Sequence, residues 1–279
     1  MRYFIYFGQA KDYYVLDKGV HLMLHNSVIT FVFILSCLLN TSIFASNTHP
    51  LDNTKVDWWL VRHKEHGTPR VNDTLPFELS KYDAYYVGPT TEKVLYLTFD
   101  EGYEKGYTPA LLDTLKKMEV PAIFFVTSPY VRDNPDLIQR MVNEGHIVGN
   151  HSKSHPSMPT YTNDASRFAF QFEDVENKYE AITGQKMTKL FRPPMGHYSE
   201  KSLAMTQALG YKTIFWSFAY KDFDVNAQPS EAQAKKIILD NLHNGSIILL
   251  HAVSKTNTLV LEDVIRSAKE QGYTFKLFE

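Results

Sequence analysis

Two acidic residues side by side, Asp100-Glu101, and two histidines four positions apart, His151 and His155, are residue types from which a metal-assisted hydrolase can be built. Two imidazoles can reach one ion. A catalytic zinc-type site takes three protein ligands and leaves a position open for water, so one carboxylate is still needed. With two adjacent carboxylates, one can bind metal while the other stays free as the base on the attacking water. Further along, Arg192, Asp222 and His251 add a cation, an acid and a lone histidine able to carry a proton to a leaving group. Singly, each has a plainer explanation: Asp100 as a helix cap, His151 and His155 as solvated loop residues, Arg192 as a surface ion pair, His251 as a satisfied rim histidine. Their shared placement argues for chemistry.

Beyond residue 94, short apolar runs alternate with amphipathic stretches. The runs predict seven strands, at 94–99, 123–127, 146–149, 189–192, 213–218, 246–250 and 273–278. Helices are predicted at 109–118, 135–144, 164–182, 200–209, 230–242 and 259–271, several opening with a proline or a hydroxyl cap. Alternating βα units imply an α/β fold with a parallel sheet and helices outside. Val94-Leu95-Tyr96-Leu97 and Ile247-Ile248-Leu249-Leu250 lack polar alternation, as strands buried on both faces do. A (β/α) barrel of about seven parallel strands is the first expectation and an open doubly wound sheet the second. In such a barrel the active site lies at the C-terminal strand ends. The first strand ends in Asp100-Glu101-Gly102, the third in Asn150-His151-Ser152 with His155 beyond, and the fourth in Arg192-Pro193-Pro194; the fifth leads to Asp222 and the sixth stops at His251. Five of seven strands thus bring a polar or ionisable group to one rim.

With 279 residues, 44% hydrophobic and 14% aromatic, the chain is long enough for one domain with a full core. Its 29 basic and 31 acidic residues are interspersed and leave a formal charge of −2, which speaks against a nucleic-acid partner. Residues 1–45 read as a leader with a signal-peptide core over 28–45, and Ala45 offers a cleavage point that puts the mature start near Ser46. Residues 1–22 precede Met23, an alternative initiator that would make them non-native. An uncleaved membrane anchor is the other reading of the leader, but a span takes about 20 apolar residues, and Asn40 and Thr41 interrupt the run first. Cys37 is the only cysteine, so cleavage leaves no disulfide. The stretch 46–93 is polar, without periodicity, and reads as an N-terminal extension to a catalytic domain at 94–279. Its Trp58-Trp59 pair is either a sugar-stacking platform or a buried anchor, more commonly the latter.

Five motifs occur in order: Thr98-Phe99-Asp100-Glu101-Gly102, His151-Ser152-Lys153-Ser154-His155, Arg192-Pro193-Pro194-Met195-Gly196, Asp222-Phe223 and Leu249-Leu250-His251. Over 94–279 the chain resembles the polysaccharide deacetylases, the NodB-like domain of carbohydrate esterase family four. The resemblance implies an irregular (β/α) barrel with Asp100 as base, His151, His155 and Glu101 on one divalent metal ion, and Arg192 orienting Asp100. His251 would be the acid, held by Asp222, with Tyr103, Pro193, Pro194, Met195 and Phe223 binding substrate. A backbone N–H near Met195 would meet the oxyanion. Glu101 departs from the family's usual aspartate by one methylene, and Phe223 stands where tryptophan is usual. Two histidines and a carboxylate suit zinc, cobalt or nickel, and zinc is the expectation. Lys81-Tyr82-Asp83-Ala84-Tyr85-Tyr86 and Gly102-Tyr103-Glu104-Lys105-Gly106-Tyr107-Thr108 resemble the sporulation-linked delta-lactam-biosynthetic de-N-acetylases. That implies an enzyme acting on N-acetylmuramic acid in peptidoglycan glycan strands of the spore cortex or intermembrane space, which suits the secretion expected from the leader; a monomer is the expected state. An amidase would first remove the stem peptide. Competing readings are an N-acetylglucosamine deacetylase on peptidoglycan or chitin-like oligomers, a non-catalytic wall-binding barrel, and a phosphoester hydrolase, which would normally show a richer carboxylate cluster.

Overall fold

The computed structural model describes residues 50–278 other than 64 and 72–74. The leader, Cys37 and the cleavage point near Ser46 lie outside the described residues. Short strands come first: β1 (Val56–Asp57), β2 (Leu60–Val61), β3 (Arg70–Val71) and β4 (Ala84–Tyr85). The βα alternation follows, with β5 (Val94–Glu101), α1 (Thr108–Lys117), β6 (Ile123–Val126), α2 (Ser128–Asp133), α3 (Pro135–Asn143) and β7 (Ile147–Asn150). It continues through α4 (Ala165–Thr183), β8 (Leu190–Phe191), β9 (His197–Tyr198), α5 (Glu200–Ala208) and β10 (Lys212–Ile214). The last elements are α6 (Glu231–Leu239), β11 (Ser246–His251), α7 (Lys255–Glu270) and β12 (Thr274–Phe275).

The main sheet runs β11-β5-β6-β7-β8-β10-β4, with β12 also on β5, and every pairing in it is parallel. The expected α/β barrel is therefore present, and its irregularity has a location. Between β4 and β11 no strand pair closes the ring; single bridges at Val87–Ser246 and Phe218–Ile248 do so instead. The expected strand 213–218 shrinks to β10 because its second half makes this closure. Strand β4 falls within the stretch read as an extension, since two residues are too few to show a period.

Along β5 the side chains alternate faces with period two. Val94 and Tyr96 pack inside the barrel with Ile123, Phe125 and Ile214. Leu95, Leu97 and Phe99 pack under the helices with Leu111, Leu115 and Ile265. The same alternation decides where Asp100 and Glu101 point. Helix α2 was not anticipated, being a six-residue segment after a strand. Helix α7 starts four residues before the expected 259 because the Ser254 side chain accepts from the Asn257 N–H (3.1 Å), capping it there.

Trp58 settles its own role. It is buried, stacks on Phe215 (centroids 4.3 Å, planes 15° apart) and donates its indole N–H to the Trp216 carbonyl (3.1 Å). Trp59 is 40% exposed. Among the described residues no helix is long and apolar enough to cross a membrane.

Candidate active site

Strand register places the site. Asp100 on β5 pairs directly with His251 on β11, and both open onto one cleft of about 1110 Å³ at the C-terminal strand ends. His151 and His155, from the loop after β7, line the same cleft.

Asp100 is held by Arg192. The fully buried guanidinium donates from Nη1 to Asp100 Oδ1 (2.8 Å) and to Thr98 Oγ1 (2.8 Å), from Nε to the Ile214 carbonyl (3.0 Å) and from Nη2 to the Phe215 carbonyl (3.2 Å). Its plane also lies over Phe125, 4.2 Å from the ring centroid. Arg192 is thus no surface ion pair but a rigid peg, and Thr98, the first residue of the first motif, is one of the partners that fix it. Burial alone would raise the Asp100 pKa, but Arg192, His151 and His251 outweigh it and hold the carboxyl below its usual range. It stays ionised.

His151 is buried, and its Nδ1–H donates to the Arg192 carbonyl (2.8 Å), which leaves Nε2 toward the cleft, 3.5 Å from Asp100 Oδ2. Burial lowers its pKa to about 4, and burial also lowers that of His155. Both rings are neutral at neutral pH, the state that ligates metal. Their centroids lie 4.9 Å apart. The loop that brings them together is strained: Ser152 (φ 71) and His155 (φ 55) are left-handed, a conformation that persists in non-glycine residues only where the surroundings enforce it. Asn150 Oδ1 accepts the Ser152 N–H (2.8 Å) and Ser152 Oγ accepts the His155 N–H (3.0 Å), which supplies that enforcement.

His251 faces them. Its Nδ1 bonds Asp222 Oδ1 (2.7 Å), while Asp222 Oδ2 accepts from the His251 backbone N–H (2.8 Å) and from Asn257 Nδ2 (2.6 Å). Asn257 lies in the first turn of α7, ahead of the helix start at 259 that the periodicity predicts. Burial opposes the imidazolium, but the hydrogen bond and charge of Asp222, with the charge of Asp100, raise the His251 pKa above its usual value. Phe223 packs edge-on against the His251 ring (5.6 Å, 66°).

Two expectations need correction. Glu101 does not line the cleft with the histidines. Odd positions of β5 face the helical layer, so its fully buried carboxyl lies beside Thr108, Tyr130 and Glu104, with neither oxygen in a properly formed hydrogen bond. Burial first, then the charges of Glu104 and Asp100, raise its pKa well above the usual range. Pro193 and Pro194 are likewise buried and absent from the cleft wall. They instead lead into the turn at which left-handed Met195 (φ 58) enters the cleft. Tyr103, Met195 and Phe223 do line it, each about half exposed.

The buried Glu101 makes a stability prediction. Its folded pKa lies above that of an unfolded carboxyl, so the native chain gains most at low pH and loses stability as pH rises toward the folded value. Glutamine cannot ionise. Thermal unfolding should therefore show Glu101→Gln gaining on the parent as pH rises above the ordinary carboxyl range, with a limiting slope of roughly 1.4 kcal/mol per pH unit. A difference that does not change with pH would mean an ionised, paired carboxylate.

Among the described residues no three His, Cys, Asp or Glu side chains form a group arranged to hold an ion. The fit to a divalent ion rests on the donor chemistry of the two imidazoles, neutral and adjacent, one of them with its tautomer fixed by a backbone carbonyl.

The chain is similar to known polysaccharide deacetylases. The profile of the polysaccharide deacetylase family matches residues 87–214. Peptidoglycan-N-acetylmuramic acid deacetylase PdaA of Bacillus subtilis (strain 168) is 44% identical over 232 residues, 83% of this chain and 88% of that protein. The solved structure of Bacillus subtilis PdaA, a family 4 carbohydrate esterase, aligns with a TM-score of 0.78, covering 81% of this chain and 96% of that one. A peptidoglycan-N-acetylglucosamine deacetylase of Bacillus cereus is 30% identical over 190 residues, 67% of this chain and 87% of that protein.

Proposed function

This chain belongs to the polysaccharide deacetylase family, and from that premise we propose that it hydrolyses the N-acetyl group of N-acetylmuramic acid in peptide-stripped peptidoglycan, releasing acetate. The freed amine, beside the sugar's lactyl carboxylate, would lead to the muramic delta-lactam of spore cortex. One observation carries the chemistry: an ionised Asp100, pegged by Arg192, faces a histidine whose pKa is raised, His251, from the adjacent strand across one cleft.

In this reading Asp100 accepts the proton of the attacking water, with Arg192 fixing the carboxylate that receives it. His251 gives its proton to the departing nitrogen, and Asp222 holds the ring in the tautomer that keeps Nε2 toward substrate. A backbone N–H near Met195 would meet the oxyanion. Tyr103, Met195 and Phe223 supply apolar contacts for the sugar. His151 and His155 would hold a divalent ion, zinc by preference. When bound, such an ion supplies Lewis acidity. Glu101, turned to the other face of β5, has no part in holding it.

Substrate in the cell wall places the chain outside the cytoplasm, by a leader cleaved near Ser46. One chain supplies every group of the cleft, so a monomer suffices. An amidase acts upstream to expose the substrate.

The test is to incubate the protein with intact and amidase-treated peptidoglycan, following acetate and product mass with and without chelator. Acetate from stripped glycan alone, abolished by chelator and restored by added zinc, is the expected result. The relationship to an N-acetylglucosamine deacetylase supports a second reading, which acetate from intact glycan or chitin oligomers alone would favour.

A further inference from the structure

The cleft has two unlike arms. Around His251 it is apolar, with Trp216, Tyr220, Phe223, Leu249 and Val253. Beyond His151 it is charged, running between α2 and α4 past Arg132, Lys153, Asp174 and Lys178.

The charges of that second arm are unequally satisfied. Arg132 makes two bonds to Asp133 (2.6 and 2.8 Å). Lys178 pairs with Asp174 (2.5 Å), which also accepts from Ser128. Among the described residues no carboxylate lies within ion-pair distance of Lys153; Asp174, near enough to feel its charge, is paired with Lys178. Its ammonium rests instead over the ring of Phe170, 4.0 Å from the centroid. An aromatic face orients a cation and takes part of its water away without neutralising it. Lys153 is also the middle residue of the loop whose ends are His151 and His155, so this charge stands beside the reacting position.

We propose that Lys153 is the specificity residue of an anion subsite that takes the free lactyl carboxylate of muramic acid while the neighbouring acetamide lies at His151 and His155. This rests on the muramic reading above. The sugar's chemistry matches the loop. The acetamide is carried on C2 and the lactyl ether on the adjacent C3, so the reacting group and the carboxylate are a few bonds apart. With the stem peptide in place that carboxylate is an amide and carries no charge; in N-acetylglucosamine the position is a hydroxyl. A cation here therefore rejects both alternatives by leaving its charge without a partner. It turns the demand for stripped glycan into a demand for charge.

The test uses a muramic-acid-containing tetrasaccharide with free lactyl carboxylates, the same compound as its lactyl methylamide, and an N-acetylglucosamine tetramer. For the unaltered enzyme, kcat/KM should favour carboxylate over methylamide by about tenfold or more. Lys153→Gln should bring that ratio close to one, and Lys153→Arg should restore most of it. Because a ratio is read, general damage to the loop cancels. A Lys153→Gln enzyme that keeps the parent's ratio, or a parent that does not discriminate, overturns the subsite while leaving muramic deacetylation intact. A parent that acts only on the N-acetylglucosamine tetramer overturns the muramic reading and the subsite together.

Discussion

Asp100→Asn is expected to lower acetate release by about a thousandfold or more, within the range general-base removal costs and with the loss of a local charge added. The substitution is isosteric. The amide oxygen can still accept from Arg192 Nη1, now 2.8 Å from Oδ1, so the side chain has reason to stay in place. What it loses is the basic lone pair and the charge. A second consequence follows from burial. Arg192 is 0% exposed, and Asp100 is the only carboxylate bonded to it among the described residues, so the variant strands a buried cation. Breaking such a pair from one side costs roughly 3 kcal/mol or more, which thermal unfolding would register. Metal content, by equilibrium dialysis, separates the two possible roles of the residue. Inactive protein that binds metal as the parent does supports Asp100 as base; inactive protein that has lost metal makes it a ligand, a role its Oδ2, 3.5 Å from His151 Nε2, is close enough to take.

That question was open in the sequence, where Asp100 and Glu101 are adjacent carboxylates of equal claim. Strand parity separates them. Once β5 is known to continue through Glu101, period two sends Asp100 inward and Glu101 under the helices. The sequence could not show this, because the apolar run ends at Phe99 and nothing in residue type says that the strand outlasts it. The consequence is electrostatic as well as geometric: burial, helped by the charges of Glu104 and Asp100, raises the pKa of Glu101, while Arg192 with His151 and His251 outweighs burial at Asp100 and lowers it.

Other parts were legible for identifiable reasons. Asp100 and His251, which end long apolar runs, meet on one rim because a parallel barrel gathers its strand ends there. Arg192, Asp222 and the two histidines stand out by type and spacing, while the side chains that hold them do not. Thr98, Asn257 and Asn150 hold the site through hydrogen bonds to Arg192, to Asp222 and the His251 carbonyl, and to the Ser152 N–H, and a neutral polar side chain in a strand or the first turn of a helix carries no periodic signal. Pro193 and Pro194 failed in the opposite direction, since a motif residue can act by shaping a turn rather than by touching the cleft. Lys153 sits inside a motif whose recognisable signal is the spacing of its two histidines.

His251→Ala is expected to cost between about a hundredfold and about ten thousandfold in acetate release, the contribution of a positioned proton donor. Its pH dependence is the sharper test. The acid must carry its proton, and the folded pKa of His251 is raised by Asp222 against the effect of burial. Activity that depends on imidazolium is full below that raised value and is lost as pH rises through it, so His251 sets an alkaline limb. Asp222→Asn removes the charge responsible while asparagine can still bond the ring at Nδ1. With burial then unopposed by that charge, the limb should move to lower pH, and the variant should lose more activity at about pH 8 than at about pH 6. In His251→Ala the residual rate should show no such limb. If the limb instead stays where it was in Asp222→Asn, the proton that expels the amine comes from another group, and the Asp222–His251 pair only shapes the cleft.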